Sequence, residues 1–336
     1  MTTDGESSAL PPELQQLPAS RRLRVHVLAA LQRYLSPRRR RVGRARDHLP
    51  RVLSVPLRRA LAPLRITPLG FNADVPLDAH FEPSPTQRLR RSVSILVPVY
   101  GNSALTLRCL RSVVAHTPSE AEIIVVDDAS PDDTYEKLAP FASAHGVILK
   151  RCARNIGFPA AVNIAAREAR GELLLILNSD VVVTPGWLTG LCDALARETN
   201  VGLVGPLGND TGDVATFPAS YHTAEALDHL ARTLQSRGTR RVEKLSLFCA
   251  LIERQVFEQV GGIDESYGRG MFEDDDLCMA LRGRGLSTLL CENVFVHHSA
   301  GSSFRRLSAL EYLARFEVNR RRFESKWKVR WRAHAT

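Results

Sequence analysis

The stretch that decides the fold is Gly171-Glu-Leu-Leu-Leu-Ile-Leu-Asn-Ser-Asp180. Its apolar run, Leu173 to Leu177, is too short to cross a membrane and has the length of a strand buried on both faces. The run ends abruptly in the polar residues Asn178-Ser179-Asp180. Ligands bind at the carboxyl ends of strands in an open parallel α/β sheet, and a carboxylate there suits a hard divalent cation. Alternatively, Asp180 only turns the chain before Pro185.

Outward from this stretch, the chain alternates between strand-like and helix-like patterns. Such alternation predicts a parallel, right-handed, doubly wound sheet, so the expected fold class is α/β. A further apolar segment, Leu245 to Ile252, predicts one more strand. The alternating strands are predicted at Val93–Val99, Glu122–Asp127, Val147–Lys150 and Leu173–Leu177, with helices at Ser103–Ala115, Asp132–His145 and Ala160–Ala169.

Charge is distributed unevenly along the 336 residues, whose formal net charge is +9. Residues 1–91 contain 17 Arg, no Lys and 7 acids, whereas residues 305–336 contain 10 basic and 3 acidic residues. The two flanks therefore carry +10 and +7, which leaves −8 for residues 92–304. A basic protein often binds nucleic acid, but here the motif-rich centre is acidic, so nucleic acid is not the expected partner. A phosphorylated ligand in this centre would need a metal to offset charge repulsion.

The shifts in charge and composition divide the chain into three parts. Residues 1–91 form a basic N-terminal extension, with a helix predicted over Ser20 to Leu35 and a Pro-rich linker over residues 66–91. Residues 92–304 form the main α/β domain, and residues 305–336 form a basic C-terminal helical segment. The basic amphipathic segments either lie on an anionic membrane surface or pack their apolar side against the main domain.

The expected location is the cytoplasm, either free or attached to the inner face of the plasma membrane through the basic flanks. No apolar run approaches the ~20 residues of a membrane span. The first residues lack the basic end and apolar centre of a secretory signal. The six cysteines are scattered without a Cys-x-x-Cys pair, which indicates reduced thiols rather than a disulfide frame or a zinc site.

Polar residues also follow the first two predicted strands, at the same sheet edge as Asp180. The first strand ends in Val97-Pro98-Val99-Tyr100, and the second is followed by Asp127-Asp128-Ala129-Ser130. A carboxylate at this edge can accept the imide N–H of a uracil or thymine base, or it can cap the following helix.

A glycine turn precedes the third predicted helix, within Asn155-Ile-Gly-Phe-Pro-Ala-Ala-Val-Asn163. Gly157 permits a positive φ, and Pro159 suits the first turn of a helix. The N-terminus of this helix directs backbone N–H groups into the cleft, which favours an anion.

Four consecutive acids, Glu273-Asp-Asp-Asp276, begin another predicted helix. They can be an acidic first turn that the helix dipole favours. However, crowded carboxylates repel one another and raise at least one pKa, which suits a general base. Farther along, His297 and His298 end a strand-like segment. A histidine pair near the cleft favours a metal or diphosphate contact over a purely structural role.

Taken in order, these motifs resemble those of inverting glycosyltransferases of family 2. That group has the GT-A fold, a Rossmann-like, mostly parallel sheet flanked by helices, and includes many bacterial rhamnosyl- and galactosyltransferases. Each piece is common by chance, but the whole set in this order is not. The resemblance extends from Ser92 to about Trp327. The matching pieces are Val97-Pro-Val-Tyr100, Val126-Asp-Asp-Ala-Ser130, Asn155-x-Gly-Phe-x-x-Ala-x-Asn163, Asn178-Ser-Asp180, Phe272-Glu-Asp-Asp-Asp-Leu277, His297-His298 and Phe323-x-x-Lys-Trp327.

The resemblance implies a site for a nucleotide-diphosphate sugar, namely a UDP- or dTDP-sugar. Asp127 would bind the nucleotide base, with Asp128 beside it. The further nucleotide-binding residues would be Pro98, Tyr100, Asn155, Gly157, Asn163 and Ser179.

The resemblance also implies Mg²⁺ or Mn²⁺ on the diphosphate. Asp180 would hold the metal as the final carboxylate of the family's Asp-x-Asp motif. His297 would be the metal-binding histidine, with His298 as the alternative. Asn178 departs from the motif at its first position, which leaves one carboxylate fewer and implies a modest metal affinity.

By the same resemblance, Asp274 would be the general base. It would remove the proton from the acceptor hydroxyl as that hydroxyl attacks the anomeric carbon, so the configuration inverts without a covalent enzyme intermediate. Glu273 and Asp276, together with His298, would hold the acceptor or order the loop. The acceptor would be a saccharide or a lipid-linked saccharide, in the synthesis of a cell-surface polysaccharide or glycolipid.

Two other functions stay open at this point. One is a nucleotide-sugar-binding protein on the same fold that has lost turnover, to which Asn178 points. The other is a nucleic-acid binder through the Arg-rich flanks, which would show salt-sensitive binding.

Overall fold

The computed structural model describes residues 73–84, 88–299 and 309–332. Contacts between Cα atoms divide the chain into two compact units, residues 69–303 with 334–336 and residues 1–68 with 304–333. The predicted helix at Ser20 to Leu35 and the other basic segments within residues 1–72 lie outside the described residues.

Within residues 88–299, a nine-stranded mixed sheet forms the centre of the larger unit. Its strands are β1 (Val93–Val99), β2 (Glu122–Asp127), β3 (Ile148–Arg151), β4 (Leu173–Leu177), β5 (Val181–Val182), β6 (Val201–Gly208), β7 (Thr239–Val242), β8 (Cys249–Glu253) and β9 (Ser287–His298). Their order across the sheet is β3-β2-β1-β4-β8-β6-β9-β5, and β7 pairs with β9. Strands β3, β2, β1 and β4 are parallel, as are β6 and β9, whereas β8 is antiparallel to both of its neighbours.

Helices cover both faces of this sheet. They are α1 (Ser103–His116), α2 (Thr134–His145), α3 (Phe158–Glu168), α4 (Trp187–Arg197), α5 (Ala224–Leu234), α6 (Arg254–Val260) and α7 (Glu273–Arg282), with a 3₁₀ turn at Glu265–Tyr267. Every strand and helix predicted between Val93 and Leu177 is present, with ends within two residues of the prediction. The predicted α/β fold with helices flanking a mostly parallel sheet is therefore confirmed.

Two apolar layers lie on opposite faces of the sheet. In β4, Leu174 and Ile176 belong to one layer, whereas Leu173, Leu175 and Leu177 belong to the other. Helices α3, α5, α6 and α7 contribute to the first layer, and α1, α2 and α4 contribute to the second. Because alternate side chains of a strand point to opposite faces and both faces are covered, β4 reads as an unbroken apolar run.

Strand β8 begins later than its apolar pattern predicted. The prediction placed a strand from Leu245 to Ile252, but the strand runs over Cys249–Glu253 and the residues before it form a loop. In that loop, the backbone N–H and hydroxyl of Ser246 donate to Asp213 Oδ2 at 2.7 and 2.8 Å. These side-chain hydrogen bonds take the place of a strand ladder, a competition that apolar content alone does not reveal.

Residues 73–84, assigned above to a Pro-rich linker, are part of the core of the larger unit. Val75 and Phe81 are buried in the first apolar layer. The backbone N–H of Ser84 donates to the carbonyl of Ala115 at 3.1 Å, and the guanidinium of Arg108 donates to the carbonyl of Val75. We call this segment the N-terminal strap, because it lies along α1.

The described part of the smaller unit is the helix α8 (Ala309–Trp327) and the residues that follow it. Arg320 pairs with Glu317 at 2.7 Å and with Glu324 at 3.1 Å along this helix. The rings of Phe316 and Trp331 meet edge to face, 5.4 Å apart. Among the described residues of both units, no helix combines the length and apolar character that crossing a bilayer requires.

His116 at the end of α1 makes the stability of the larger unit depend on pH. Its side chain is 1% exposed, and its Nδ1 lies 3.1 Å from Ser84 Oγ in the strap. Burial lowers the pKa of His116 from 6.5 to about 4. Between these two pKa values, the unfolded chain therefore binds a proton at His116 that the folded chain does not. The free energy of unfolding falls as the pH falls, by up to roughly 3 kcal/mol.

We expect the variant His116→Asn to lose less stability than the wild type between about pH 7 and about pH 4.5. Asparagine offers a polar group toward Ser84 but does not titrate in this range. Urea denaturation at each pH measures the difference between the two proteins, which cancels the contribution of the carboxylates they share. An equal loss in both proteins would contradict the assignment of this pH dependence to His116.

Candidate active site

The carboxyl ends of β1, β2 and β4 lie at one edge of the sheet, as parallel pairing requires. Val99 pairs in register with Asp127, and β4 leads directly into the turn at 178–180. Pro98 is buried within β1, whereas Tyr100 just beyond it is 36% exposed. Ser179 is half-buried in the turn. The sheet thus brings together Asp127, Asp180 and the residues that end β1.

A carboxylate and an imidazole meet beyond the end of β4. Asp180 Oδ1 lies 3.3 Å from His298 Nε2, and both side chains are buried. His298 Nδ1 is 2.7 Å from the carbonyl of Asp210. Because a carbonyl only accepts, Nδ1 carries the proton in the neutral ring, and the lone pair of Nε2 faces Asp180. The ring also stacks on Phe248, with centroids 5.0 Å apart.

His297 occupies the opposite face of β9 and does not contact Asp180. Its Nδ1 is hydrogen bonded to the hydroxyl of Tyr221 at 2.9 Å, and its Nε2 to that of Ser299 at 3.0 Å. Burial lowers the pKa of His297 to about 3, so the ring is neutral. Which of the two histidines would meet a metal stays a prediction, but in the structure it is His298, the alternative, that lies beside Asp180. The reason is that successive side chains of a strand point to opposite faces.

Asp180 and His298 fit a divalent cation whose coordination is completed by a ligand. In residues 73–84, 88–299 and 309–332, no group of three or more His, Cys, Asp or Glu side chains converges as a metal site. A closed protein cage is therefore not present there. Mg²⁺ is commonly bound by one or two protein groups together with substrate phosphates and water. The amide Nδ2 of Asn178 lies 3.5 Å from His298 Nε2, so this residue offers the pair a neutral side chain.

Asp127 ties together the loops that follow β1 and β2. Its Oδ1 accepts from the backbone N–H of Ser130 at 3.2 Å and from the Ser130 hydroxyl, whose oxygen accepts from the N–H of Gly101 at 2.7 Å. Its Oδ2 lies 3.3 Å from Nε of Arg151, which also lies over the ring of Tyr135. Arg151 was not singled out from the sequence, because it ends β3 as one of many surface arginines.

Asp128 holds the glycine turn rather than facing the same space as Asp127. Its two carboxylate oxygens accept from the backbone N–H groups of Ile156 and Gly157, at 2.7 and 2.8 Å. Burial raises the pKa of Asp128, although these hydrogen bonds and the nearby charge of Arg269 oppose the rise. The nucleotide-binding role of Asp128 stays a prediction, and in the structure its two oxygens hold the backbone of the glycine turn.

The two asparagines of the glycine-turn motif have different surroundings. Asn155 is half-buried beside the turn, and among the described residues its Oδ1 has no hydrogen-bond partner. Asn163 instead exchanges hydrogen bonds of 2.8 and 2.9 Å with the backbone of Ile263, and its Nδ2 also donates to Glu265 at 2.9 Å. The nucleotide-binding role of Asn163 stays a prediction, and in the structure its amide joins α3 to the 3₁₀ turn.

The four consecutive acids begin α7, and each has a different environment. Asp276 accepts from the hydroxyl of Tyr267 at 3.0 Å, which fixes it on the buried side of the helix. Asp274 and Asp275 face Lys244, whose Nζ lies 3.5 and 2.6 Å from their Oδ2 atoms. Glu273 is half-buried, and within the part of the chain that is described its Oε2 accepts no hydrogen bond.

These environments favour different protonation states for Glu273 and Asp274. Burial, reinforced by the charge of Asp274, raises the pKa of Glu273. Burial also raises the pKa of Asp274, but there the charge of Lys244 opposes the rise. The cluster thus contains one carboxyl group that tends to stay protonated and one whose carboxylate form is supported, which is the arrangement expected of a general base.

The loop of residues 209–216, here called the bridging loop, connects the Asp180–His298 pair with the acid cluster. Asn209 exchanges hydrogen bonds of 2.7 and 3.1 Å with the backbone of His298. Asp213 accepts from Thr211, Ala215 and Ser246, two residues beyond Lys244. Sequence reasoning missed Asn209, Asp213 and Lys244, because they stand in irregular segments without a recognisable motif.

Comparison with known proteins gives one family match. Residues 94–261, half of the chain, match the family described as "Glycosyl transferase family 2".

Several characterised or named proteins are similar in sequence. The protein y4gI of Sinorhizobium fredii is 30% identical over 72% of this chain and 28% of its own length. The O-antigen biosynthesis protein RfbC of Myxococcus xanthus is 29% identical over 65% of this chain and 18% of its own length. The N-acetylglucosaminyl-diphospho-decaprenol L-rhamnosyltransferase of Mycobacterium tuberculosis is 28% identical over 59% of this chain and 73% of its own length. The chain thus spans less than a third of the first two relatives.

The fold is similar to that of a solved glycosyltransferase. The crystal structure of GalNAc-T7 with UDP, GalNAc and Mn²⁺ superposes with a TM-score of 0.51 and 20% identity, over 62% of this chain and 44% of the other. At this identity the likeness shows the GT-A fold alone.

We expect Gly157→Ala to destabilise the larger unit by about 3 kcal/mol or more. Gly157 has φ +93°, and a Cβ there would lie 2.1 Å from the carbonyl oxygen of Gly268. The matched control is Gly146→Ala, at φ +66° with nothing within 4 Å of the added Cβ, which should cost only about 1–2 kcal/mol. Urea denaturation of both variants measures the difference. Equal losses would mean that the contact between the two glycine loops contributes nothing.

Proposed function

The chain belongs to glycosyl transferase family 2, and we propose that it transfers a sugar from a UDP- or dTDP-sugar to an acceptor hydroxyl, with inversion at the anomeric carbon. The observation that carries the proposal is the pairing of Asp180 with His298 beyond β4, at 3.3 Å. Because Nδ1 of His298 donates to the carbonyl of Asp210, Nε2 is the ring atom that faces Asp180.

The nucleotide would bind at the ends of β1 and β2. Asp127 would accept the imide N–H of the uracil or thymine base through Oδ2, beside the guanidinium of Arg151. Tyr100 is exposed at the mouth of this site and offers a ring for packing against the base. The remaining predicted contacts, from Pro98, Ser179, Asn155 and the Gly157 turn, stay predictions.

Asp180 and His298 would hold Mg²⁺ or Mn²⁺ together with the diphosphate of the donor. When bound, such a cation supplies Lewis-acid stabilisation of the charge that grows on the departing diphosphate. The solved GalNAc-T7 structure contains UDP and Mn²⁺, which supports a divalent cation for this site. Buried His297 would support this site indirectly, through its hydrogen bonds to Tyr221 and Ser299.

Asp274 would act as the general base. Its carboxylate takes the proton of the acceptor hydroxyl while the hydroxyl oxygen forms a bond to the anomeric carbon. The bond from that carbon to the diphosphate oxygen breaks on the opposite face, and the nucleoside diphosphate leaves. The raised pKa of Asp274 supports this role, because a base with a pKa nearer to the working pH removes a proton more effectively.

The acceptor would be a saccharide or a lipid-linked saccharide of a cell-surface polysaccharide or glycolipid. The name of the mycobacterial rhamnosyltransferase specifies a lipid-diphosphate acceptor, and that of RfbC specifies O-antigen biosynthesis. Such an acceptor agrees with a cytoplasmic enzyme that approaches an anionic membrane through its basic flanks. That membrane contact stays a prediction, as does the cytoplasmic location.

A second candidate is a nucleotide-sugar-binding protein without turnover. Asn178 favours it, since an amide near His298 replaces the first carboxylate of the family's metal motif. The first candidate is favoured by the acid cluster, because a binding protein has no need of a supported carboxylate such as Asp274.

We expect UDP or dTDP to bind more tightly with Mn²⁺ than with chelator, by calorimetry. Asp180→Ala and His298→Asn should abolish this metal-dependent gain, because each removes one proposed ligand atom. The asparagine can still donate to the carbonyl of Asp210. The matched control is His297→Asn, one residue away, which should keep the gain. If His297→Asn loses the gain while His298→Asn keeps it, the assignment of the metal ligand is wrong.

We expect Asp274→Asn to lower turnover by about 10²–10⁴-fold and to leave nucleotide affinity unchanged, because the amide cannot take a proton. The measurement is release of nucleoside diphosphate from a panel of UDP- and dTDP-sugars with free and lipid-linked saccharide acceptors. Asp193→Asn, on the surface of α4, serves as the control. Full turnover in Asp274→Asn would exclude Asp274 as the base, and no turnover in the wild type with any pair would favour the binding protein.

A further inference from the structure

Lys244 is a half-buried amine placed between two carboxylates of the acid cluster. Its side chain is 12% exposed, and it lies in the loop that connects β7 to β8. Its Nζ is 2.6 Å from Asp275 Oδ2 and 3.5 Å from Asp274 Oδ2. The ammonium group therefore contacts Asp275 closely and Asp274 more loosely.

An isolated lysine at this depth would lose its proton, because burial disfavours the charged form. Burial does lower the pKa of Lys244, but the charges of Asp274 and Asp275 outweigh it and leave the pKa above its usual value. Lys244 consequently carries its charge at neutral pH, which places a positive charge beside the proposed base.

The other charged groups that face Asp274 are acidic. On α7 itself they are Asp275 and Glu273, whose own pKa the charge of Asp274 raises, and from the bridging loop the charge of Asp213 acts on Asp274. Asp213 already accepts from Thr211, Ala215 and Ser246. The thiol of Cys278 is near both Asp274 and Lys244 and is protonated, since burial raises its pKa to about 12. Lys244 is therefore the cation that balances the negative charge around Asp274 within the described residues.

We propose that Lys244 is a positioning residue that keeps Asp274 ionised before the acceptor binds, and that Asp275 restrains Lys244 so that it does not close fully onto Asp274. This inference rests on the proposed function, in which Asp274 is the base. Lys244 acts through Asp274 and does not touch the reacting atoms.

The two distances give Asp275 its role. A lysine paired tightly with Asp274 would make that carboxylate a weak base, and the loss of the lysine would raise the pKa of Asp274 further. With Asp275 present, the ammonium sits nearer to Asp275, and Asp274 keeps an intermediate basicity. When Asp274 takes the acceptor proton, Lys244 keeps its own proton and stays paired with Asp275. The charge of these three groups then changes from −1 to 0, so no isolated positive charge is left buried.

The proposal predicts opposite effects from two substitutions. Lys244→Met removes the positive charge and should raise the pKa of Asp274 by about 1–2 units. Asp275→Asn frees the ammonium to approach Asp274 and should lower that pKa. If the substitutions acted only through a loss of local packing, the shift in the pKa of Asp274 would not change sign between the two variants. The pair therefore distinguishes an electrostatic role from a merely structural one.

The experiment is a pH titration of the full chain with ¹³C-labelled aspartate carboxyl groups, followed by NMR. The resonance of Asp274 is the one that disappears in Asp274→Asn. Lys244→Arg should restore a pKa close to that of the wild type, because it keeps the charge. Lys150→Met, which removes a half-exposed lysine that pairs with Glu168 at 2.7 Å, should leave Asp274 unchanged. If Lys244→Met does not fold, Asp275→Asn and Lys244→Arg still test the proposal.

Shifts of opposite sign in Lys244→Met and Asp275→Asn would support the inference, and an unchanged pKa of Asp274 in either variant would overturn it. The titration needs no donor, acceptor or metal. Its result is therefore separate from that of the proposed function, which fails if Asp274→Asn retains full turnover, whatever the titration shows. If the protein uses a UDP- or dTDP-sugar as a donor, the acidic limb of its pH–activity profile should move in the same direction as the pKa of Asp274.

Discussion

The pairing of β4 with β1 on one side and β8 on the other is the constraint on which the rest of the structure depends. All five side chains of β4 are 1% exposed or less. At about 1.5–3 kcal/mol for each large apolar side chain, their burial contributes on the order of 10 kcal/mol. A shift of register by one residue would exchange the two apolar faces, so this strand has one position in the sheet. That position sets where Asn178, Ser179 and Asp180 leave the sheet.

The histidine that meets Asp180 is selected by a second strand pairing. The short strand β5 pairs antiparallel with the end of β9, so Val181 lies opposite His298 and Val182 opposite His297. The pleat then directs one ring toward Asp180 and the other toward Tyr221 and Ser299. Both rings are buried and hydrogen bonded, but His298 lies beside Asp180 at 3.3 Å, whereas the carboxylate near His297 is that of Asp74 in the strap, at 3.8 Å. The backbone, rather than the chemistry of histidine, assigns the two roles.

The carboxylates of the larger unit are sorted by their hydrogen-bond partners. Each oxygen of Asp128 accepts from a backbone N–H group, and Asp213 accepts from Thr211 in the bridging loop and from Ser246. Such groups stabilise loops, since a buried carboxylate is tolerated when its oxygens are satisfied. Asp274 differs, because its Oδ2 faces an ammonium at 3.5 Å. A looser ion pair leaves the carboxylate able to change its protonation state, which a structural carboxylate does not need to do.

The sequence by itself determined the α/β fold, the alternating elements from Val93 to Leu177 and the position of Asp127 and Asp180 at one sheet edge. These follow from local patterns, since apolar periodicity and strand ends are written in consecutive residues. Only the tertiary structure decided that β8 runs antiparallel, that Asn163 and Asp128 hold loops, that His298 rather than His297 faces Asp180, and that Lys244 accompanies the acid cluster. Each of these depends on residues far apart in the chain, such as the 31 positions between Lys244 and Asp275. Such a contact forms only when the fold brings the loop before β8 close to α7. It therefore cannot be predicted from the pattern of neighbouring residues.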